Sequence, residues 1–347
     1  MKLTRRLMIG ALSATALLTQ PIIASAQNLP KNIRMVIGSK STGGDTYQIS
    51  AMVADALSEK LGVNVKVDAV GATAAFKALE RDKRGTTIMM FHDFAYLGEL
   101  YKGQGFVNPF THFAIGPTVA INPANAYLVA KNSPYQSMDD ILKAAVDGTR
   151  IRVAIQPGGV SELGFSAMKN AANVMKAGAG DNIVAVNTGS QSDKNQAMWD
   201  GLADVINGSI QSNEQFTQLP ADDQKAMRFI WLTSAPDTLA QAPEEGMGKL
   251  TRDDMLKYAS PQTHVPLNEN EDFIFDKEFF FIYNKDTDPA MIDAIDAALK
   301  EIYDEGELQK KETEAFFIPD FKPSAQAREE LEKKRELYGK VINDISN

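Results

Sequence analysis

The chain has 347 residues, 44% of them hydrophobic and 23% charged, and 36 Lys+Arg against 45 Asp+Glu leave a net charge of -9. This is the composition of a globular protein long enough for two cores, and its acid excess argues against nucleic acid, whose phosphates need a basic face. Zero cysteines and three histidines (His92, His112, His264) exclude disulfides, thiolate metal sites and cysteine nucleophiles, so no cofactor and no metal is expected.

Residues 1–26 carry Lys2, Arg5 and Arg6, then an apolar stretch from Leu7 to Leu18, then Ala24-Ser25-Ala26. A charged start, an apolar run too short to span a bilayer comfortably and a small-x-small site make an export signal peptide. Arg5-Arg6 also resembles a twin-arginine signal. Cleavage after Ala26 removes three basic residues and no acid, which takes the net charge of 27–347 to -12. The expectation is an exported, soluble protein held by core burial alone.

Ile33–Ile37 reads as a strand, and Ile49, Met52, Val53, Ala56, Leu57 and Leu61 then recur at helical spacing until Gly62 stops them. Val63, Val65 and Val67 alternate as a second strand, Ala72–Leu79 is a short helix, and Thr86–Phe91 is an apolar run suited to a buried parallel strand. The middle of the chain repeats the pattern: strand Tyr127–Ala130, a helix opened by the capping box of Ser137 and Asp140, and strand Ile151–Ile155. A helix follows with Leu163, Met168, Ala171, Ala172 and Met175 on one face, and strands at Ile183–Val186, Asp204–Ile206 and Phe229–Leu232 complete a second sheet. Residues 236–272 read as loops with one short helix, Phe279–Tyr283 as an apolar strand, and two helices close the chain, the last over about 325–345. Strand–helix alternation with short joints predicts α/β architecture with parallel sheets.

Two loops share one design: a strand, a Gly-Gly pair, hydroxyl residues, then a helix. They are Ser41-Thr42-Gly43-Gly44-Asp45-Thr46 and Gly158-Gly159-Val160-Ser161. Glycine lets a ligand approach the backbone closely, and a helix start offers unpaired N–H donors and a partial positive charge, so each loop is a candidate anion cradle. Thr188-Gly189-Ser190 ends a third strand in the same way. In open α/β sheets, ligands lie outside the carboxyl ends of strands. Phe91 and His92 occupy one such end, and the histidine is either a ligand contact or paired with Asp93 or a backbone carbonyl. No Gly-Lys-Ser/Thr follows either glycine pair, and Gly164 stands one residue too far from Ser161 for a nucleophile elbow. The residues therefore point to binding rather than catalysis, with an exported serine hydrolase built on Ser161 as the enzyme alternative.

These motifs, in order, resemble the extracytoplasmic solute receptors of the tripartite tricarboxylate transporter family, of TctC or Bug type. Strand Ile33–Ile37, Gly43-Gly44, the helix ending Leu61-Gly62 and Val63–Val67 are similar to the family's opening, and Gly71-Ala72 to its Gly-Ala motif. Arg84–Ile88 stands where the family has Asp-Gly-Tyr-Thr-Leu, Gly158–Leu163 resembles its Gly-x-Gly-Ser loop, and Asn187–Ser190 stands where it has Tyr-Lys-Gly. Asp200–Asp204 resembles its Gly-Gly-Gln-Val-Asp, and Asp288-Pro289 its closing region. Ser39 and Lys40 replace a proline and an aromatic in the first loop, and Tyr47 stands where the family has Asp, with Asp45 two residues earlier.

The resemblance implies a two-lobed type II periplasmic-binding-protein fold, a Venus flytrap, with lobe 1 over 28–130 plus 275–347 and lobe 2 over 131–274. It implies that the protein captures a small carboxylate, foremost a dicarboxylate, and delivers it to membrane permease subunits. A sensor subunit for a signalling receptor is the alternative on the same fold. A monomer is expected. The implied ligand contacts are Lys40, Ser41, Thr42, Gly43, Gly44, Asp45, Thr46 and Tyr47 in one lobe and Gly158, Gly159, Val160 and Ser161 in the other. Phe91, His92, Thr188, Gly189, Ser190 and Asp204 are the further candidates, with Lys40 offering a cation and Tyr47 and Phe91 a stacking surface.

Overall fold

The computed structural model describes residues 29–244 and 248–346; the expected signal peptide, 1–26, lies outside them. The chain opens with β1 (Asn32–Ile37), α1 (Asp45–Leu61), β2 (Asn64–Ala69), α2 (Ala72–Arg81) and β3 (Thr87–His92). Gly62 ends α1 in a left-handed conformation at φ 65, and β3 is buried along its whole length. Then come α3 (Phe94–Leu100), α4 (Pro109–His112), β4 (Phe113–Asn122) and β5 (Asn125–Ala130). The second sheet is built from α5 (Met138–Val146), β6 (Ile151–Ile155), α6 (Val160–Met175), β7 (Ile183–Asn187), α7 (Gln191–Trp199), β8 (Val205–Ser209), α8 (Ile210–Thr217) and β9 (Met227–Leu232). The expected capping box at Ser137 is formed, with Asp140 bonding back to it. Among the described residues of 236–272 are two short helices, α9 (Pro236–Ala240) and α10 (Arg252–Leu256), rather than one. The chain closes with β10 (Lys277–Asn284), α11 (Pro289–Glu305), α12 (Glu307–Glu314), β11 (Ile318–Lys322) and α13 (Ser324–Ser346), so three helices and a strand stand where two helices were expected.

The first sheet has the order β11-β4-β10-β3-β1-β2 and the second β7-β6-β8-β5-β9. Each contains the expected parallel triplet, β2-β1-β3 and β7-β6-β8, but β10 and β5 run antiparallel beside them. The sheets are therefore mixed, for a topological reason. Parallel strands aim their carboxyl ends at the space between the sheets, and a chain crossing over enters the next sheet from that side, so it must run the other way. The first crossing lies between Asn122 and Asn125, because β5 pairs with β8 and β9. Residues 125–130, expected in lobe 1, thus belong to the second sheet. The return crossing runs from β9 to β10, where Phe275 N–H donates to Thr233 O at 2.7 Å.

The core is divided by the sheets. One apolar cluster lies between β1, α1 and α11, another on the outer face of the second sheet, and the largest joins residues of both sheets to the inner face of α13. Ala327, Leu331, Tyr338, Val341 and Ile342 supply that face, so the charge-rich last helix is a packed amphipathic helix.

Candidate anion-binding cleft between the sheets

Five helix N-termini border one cleft of about 760 Å³: those of α1, α2, α6, α7 and α8. Three of them begin at glycine, Gly44, Gly71 and Gly159, which offers no side chain to cap the helix, although in α1 the Asp45 carboxylate accepts from Thr46 N–H at 2.7 Å. The two others are closed by serines, Ser190 accepting from Asp193 N–H and Ser209 from Ser212 N–H. A helix start leaves N–H donors without intrahelical acceptors and carries about half a positive charge. Three such ends in one cleft make an anion-binding surface of backbone.

The first cradle does not use glycine for its backbone angles. Gly44 has φ -97, and a Cβ there would meet nothing within 4 Å. What the missing side chain leaves open is the approach to the cradle itself. Gly158 is different: its φ is 79, and Gly159 lies with its Cα toward Gln156 O, 3.2 Å from where a Cβ would stand.

Of the residues singled out from the sequence, Lys40, Ser41, Gly43, Gly44, Asp45, Thr46, Phe91, His92, Gly159, Val160, Ser161, Gly189 and Ser190 line this cleft. Thr42, Tyr47, Gly158, Thr188 and Asp204 do not. Tyr47 packs against the core beneath α1, and Gly158 makes the turn and bears on Phe94. Thr188 is turned back, its hydroxyl donating to Ile155 O at 2.9 Å. Asp204 is held by Arg152 at 2.6 Å and serves the joint between β6 and β8. Phe91 is 1% exposed and packs on Phe76, Phe94 and Gly38, which leaves little of its ring to stack on a ligand. Ser161 is committed as well, its Oγ accepting from Gln156 N–H at 2.8 Å and lying 3.2 Å from Gln156 O. No histidine bonds it among the described residues.

His92 is not paired with Asp93: its Nδ1 accepts from Phe94 N–H at 3.3 Å, and Asp93 pairs with Lys334 instead. Burial first, then Lys277, hold the His92 pKa well below 6.5, so the ring is neutral. Asp45 accepts from Asn122 Nδ2 and Thr46 N–H, both at 2.7 Å, and forms an ion pair with Lys277. Burial alone would raise the Asp45 pKa, but Lys277 first, and the Asn122 hydrogen bond with it, outweigh burial and draw it to about 2.

Sequence reasoning missed Lys194, Lys277, Asn125 and Asn207, which also line the cleft. Lys194 donates to Asn207 Oδ1 at 2.6 Å, and Asn207 Nδ2 donates to Asn125 Oδ1 at 3.1 Å. One available signal was a lysine opening the apolar strand Phe279–Tyr283, at the end that faces the cleft. Another was a lysine just after the Ser190 cap, since helix side chains lean toward the N-terminus. Among the described residues, no group of three metal-ligating side chains occurs and no helix is long and apolar enough to cross a membrane.

Neither a family model nor a curated protein matches the sequence. Among solved structures, the chain is similar to Rpa4515 of R. palustris with adipate, at TM-score 0.69 and 15% identity over 91% of this chain and 97% of that one. It is similar to MatC (Rpa3494) from Rhodopseudomonas palustris with bound malate, at TM-score 0.68 and 12% identity over 90% and 100%. Against the periplasmic binding protein BugD the TM-score is 0.67, with 14% identity over 92% and 99%. The fold is thus the two-lobed α/β fold of periplasmic binding proteins.

Proposed function

We propose that the protein is a periplasmic solute-binding protein of TctC/Bug type, which captures a small dicarboxylate between its lobes and delivers it to a membrane permease. The observation that carries this reading is the convergence of three helices that start at glycine, α1, α2 and α6, from both sheets onto one cleft. Donors on two sides suit an anion at each end of a short molecule, and hinge closure brings the sides together. Adipate and malate in two structures of the same fold support the choice of acid. Backbone donors also explain how a chain this acidic can hold an anion, because its surface charge is screened beyond about 8–10 Å. The Ser161 hydroxyl, bonded to Gln156, is not poised as a nucleophile, which favours binding over hydrolysis.

The test is thermal unfolding of residues 27–347, stripped of bound solute, against aliphatic and aromatic mono-, di- and tricarboxylates. A ligand at a hundred times its dissociation constant adds about 2.7 kcal/mol, so a melting shift confined to diacids is the expected result. Gly44→Val should melt like the wild type without ligand, since its new side chain meets open space, and should show no shift. A Gly44→Val protein with normal affinity removes the first cradle from the account, and no shift with any acid removes the function.

A further inference from the structure

Lys194 lines the cleft although it is only 6% exposed. Among the described residues its ammonium has one hydrogen-bond partner, the neutral Asn207 Oδ1, and forms no ion pair. The other lysine of the floor, Lys277, comes from the first sheet and is neutralised by Asp45. Asn125, 4% exposed, leaves its Nδ2 without a partner. The floor thus holds one uncompensated ammonium and one idle amide donor, both buried and both on the cleft wall. Burying such groups is costly unless something enters to meet them.

We propose that Lys194 is a ligand-binding residue, its ammonium and the Asn125 amide receiving an acidic group of the ligand directly beside the helix N-termini. The proposal rests on reading the cleft as a carboxylate site, and adds to it a side-chain cation from the second lobe. Charge-assisted contacts of this kind are roughly twice as strong as neutral ones. Lys277 and Asp45 from the first sheet act on Lys194, and His92, Lys40 and Lys77 are the other charged or titratable groups on the first-lobe side of the cleft; its neighbours in the second sheet, Asn207, Asn125 and Asn195, carry no charge.

This placement makes binding a proton-linked event. Burial, then Lys277, push the Lys194 pKa down to about 7, with Asp45 acting the other way. An entering carboxylate raises it again, so above that pH the free protein is neutral at Lys194 and must take up a proton to bind. Affinity then falls as pH rises. In the free protein His92 is neutral and Asp45 ionised, and the Lys194→Met variant isolates the share of the dependence that belongs to Lys194.

The experiment is isothermal titration of residues 27–347 with adipate and with malate from pH 6 to 9, each in two buffers of different ionisation enthalpy. Expected for the wild type is an affinity that drops by up to about tenfold per pH unit above 7, with uptake of up to one proton. Lys194→Met should bind about 10- to 100-fold more weakly at pH 6.5, with no pH dependence and no proton uptake. Melting without ligand checks that the variant folds, and proton uptake by the wild type decides the matter if it does not. A wild type with flat affinity and no uptake overturns the proposal, as does Lys194→Met binding within twofold of it. If the wild type binds, Gly44→Val does not, and Lys194→Met still does, the carboxylate reading stands and Lys194 alone is discarded. If neither acid binds the wild type, the carboxylate reading falls and this proposal with it.

Discussion

Hydroxyl geometry fixes a proton at Glu312. The Tyr303 oxygen lies 2.6 Å from Val119 O and 2.6 Å from Glu312 Oε1. Tyr303 has one proton and the carbonyl has none, so Tyr303 donates to Val119 and Glu312 must be the acid that donates to Tyr303. Burial accounts for this, raising the Glu312 pKa from 4.5 to about 8. The sign follows by linkage: the unfolded carboxyl ionises above 4.5 while the folded one holds its proton, so this site contributes less stability as pH climbs from 4.5 toward 8. Glu312→Gln keeps a donor for Tyr303 and never ionises. It should leave stability at pH 4 nearly unchanged and add on the order of 3 kcal/mol at neutral pH, as measured by urea unfolding. A gain equal at both pH values would show that packing, not ionisation, is responsible. Nothing in the residue order marks Glu312, since its burial depends on how α12 packs on α1, α11 and β11.

At the scale of elements, helix starts decide the site. The cradles of α1 and α6 were legible because a glycine pair between a strand and an amphipathic run has few other uses. The α2 start was legible as a helix boundary at Ala72, but a single glycine at Gly71 does not mark it as part of the cleft wall. The two glycine pairs also differ in what they require. Gly158→Ala forces a side chain into φ 79 and should cost about 1–2 kcal/mol, whereas Gly44→Ala, at φ -97 with open space beyond it, loses only the N-cap preference of glycine over alanine and should cost about 0.5 kcal/mol. Chemical denaturation of both variants checks this, and equal losses would mean that the first pair is structural after all. Strand β4 escaped sequence reading because Gly116-Pro117 interrupts it. Gly116 is there to admit the Tyr283 ring, which lies 2.3 Å from where a Cβ would stand.

Across the whole molecule, the lobes are tied by more than their two crossings. Phe316 follows α12, beside the first sheet, yet its side chain is buried in the apolar cluster on the outer face of the second. It adopts φ 64, and its carbonyl accepts from Gln211 Nε2 of α8 at 3.1 Å. Gln211 Oε1 in turn lies 3.4 Å from Asn122 Nδ2, which also bonds Asp45 at the cleft. A bulky residue holds a left-handed angle only when its surroundings compel it, and here the compulsion is core burial across the lobe boundary. Phe316→Ala should cost about 3–4 kcal/mol of stability, measured by urea unfolding. A loss below about 1 kcal/mol would mean that relief of the backbone offsets the cavity.

The sequence by itself determined much of the local grammar: where the strands of the two parallel triplets and helices α1, α2, α5 and α6 lie, that α1 and α6 follow glycine pairs, and that disulfides are absent. These are legible because periodicity, caps and left-handed turns depend on residues within a few positions of one another. The tertiary structure alone decided the mixed sheets, the crossing before β5 and the floor of the cleft. Lys194, Lys277, Asp45 and Asn125 lie far apart in the chain, and only the crossing strands bring them together. Whether a lysine has a counter-ion is a property of that meeting, so no spacing in the sequence could announce it.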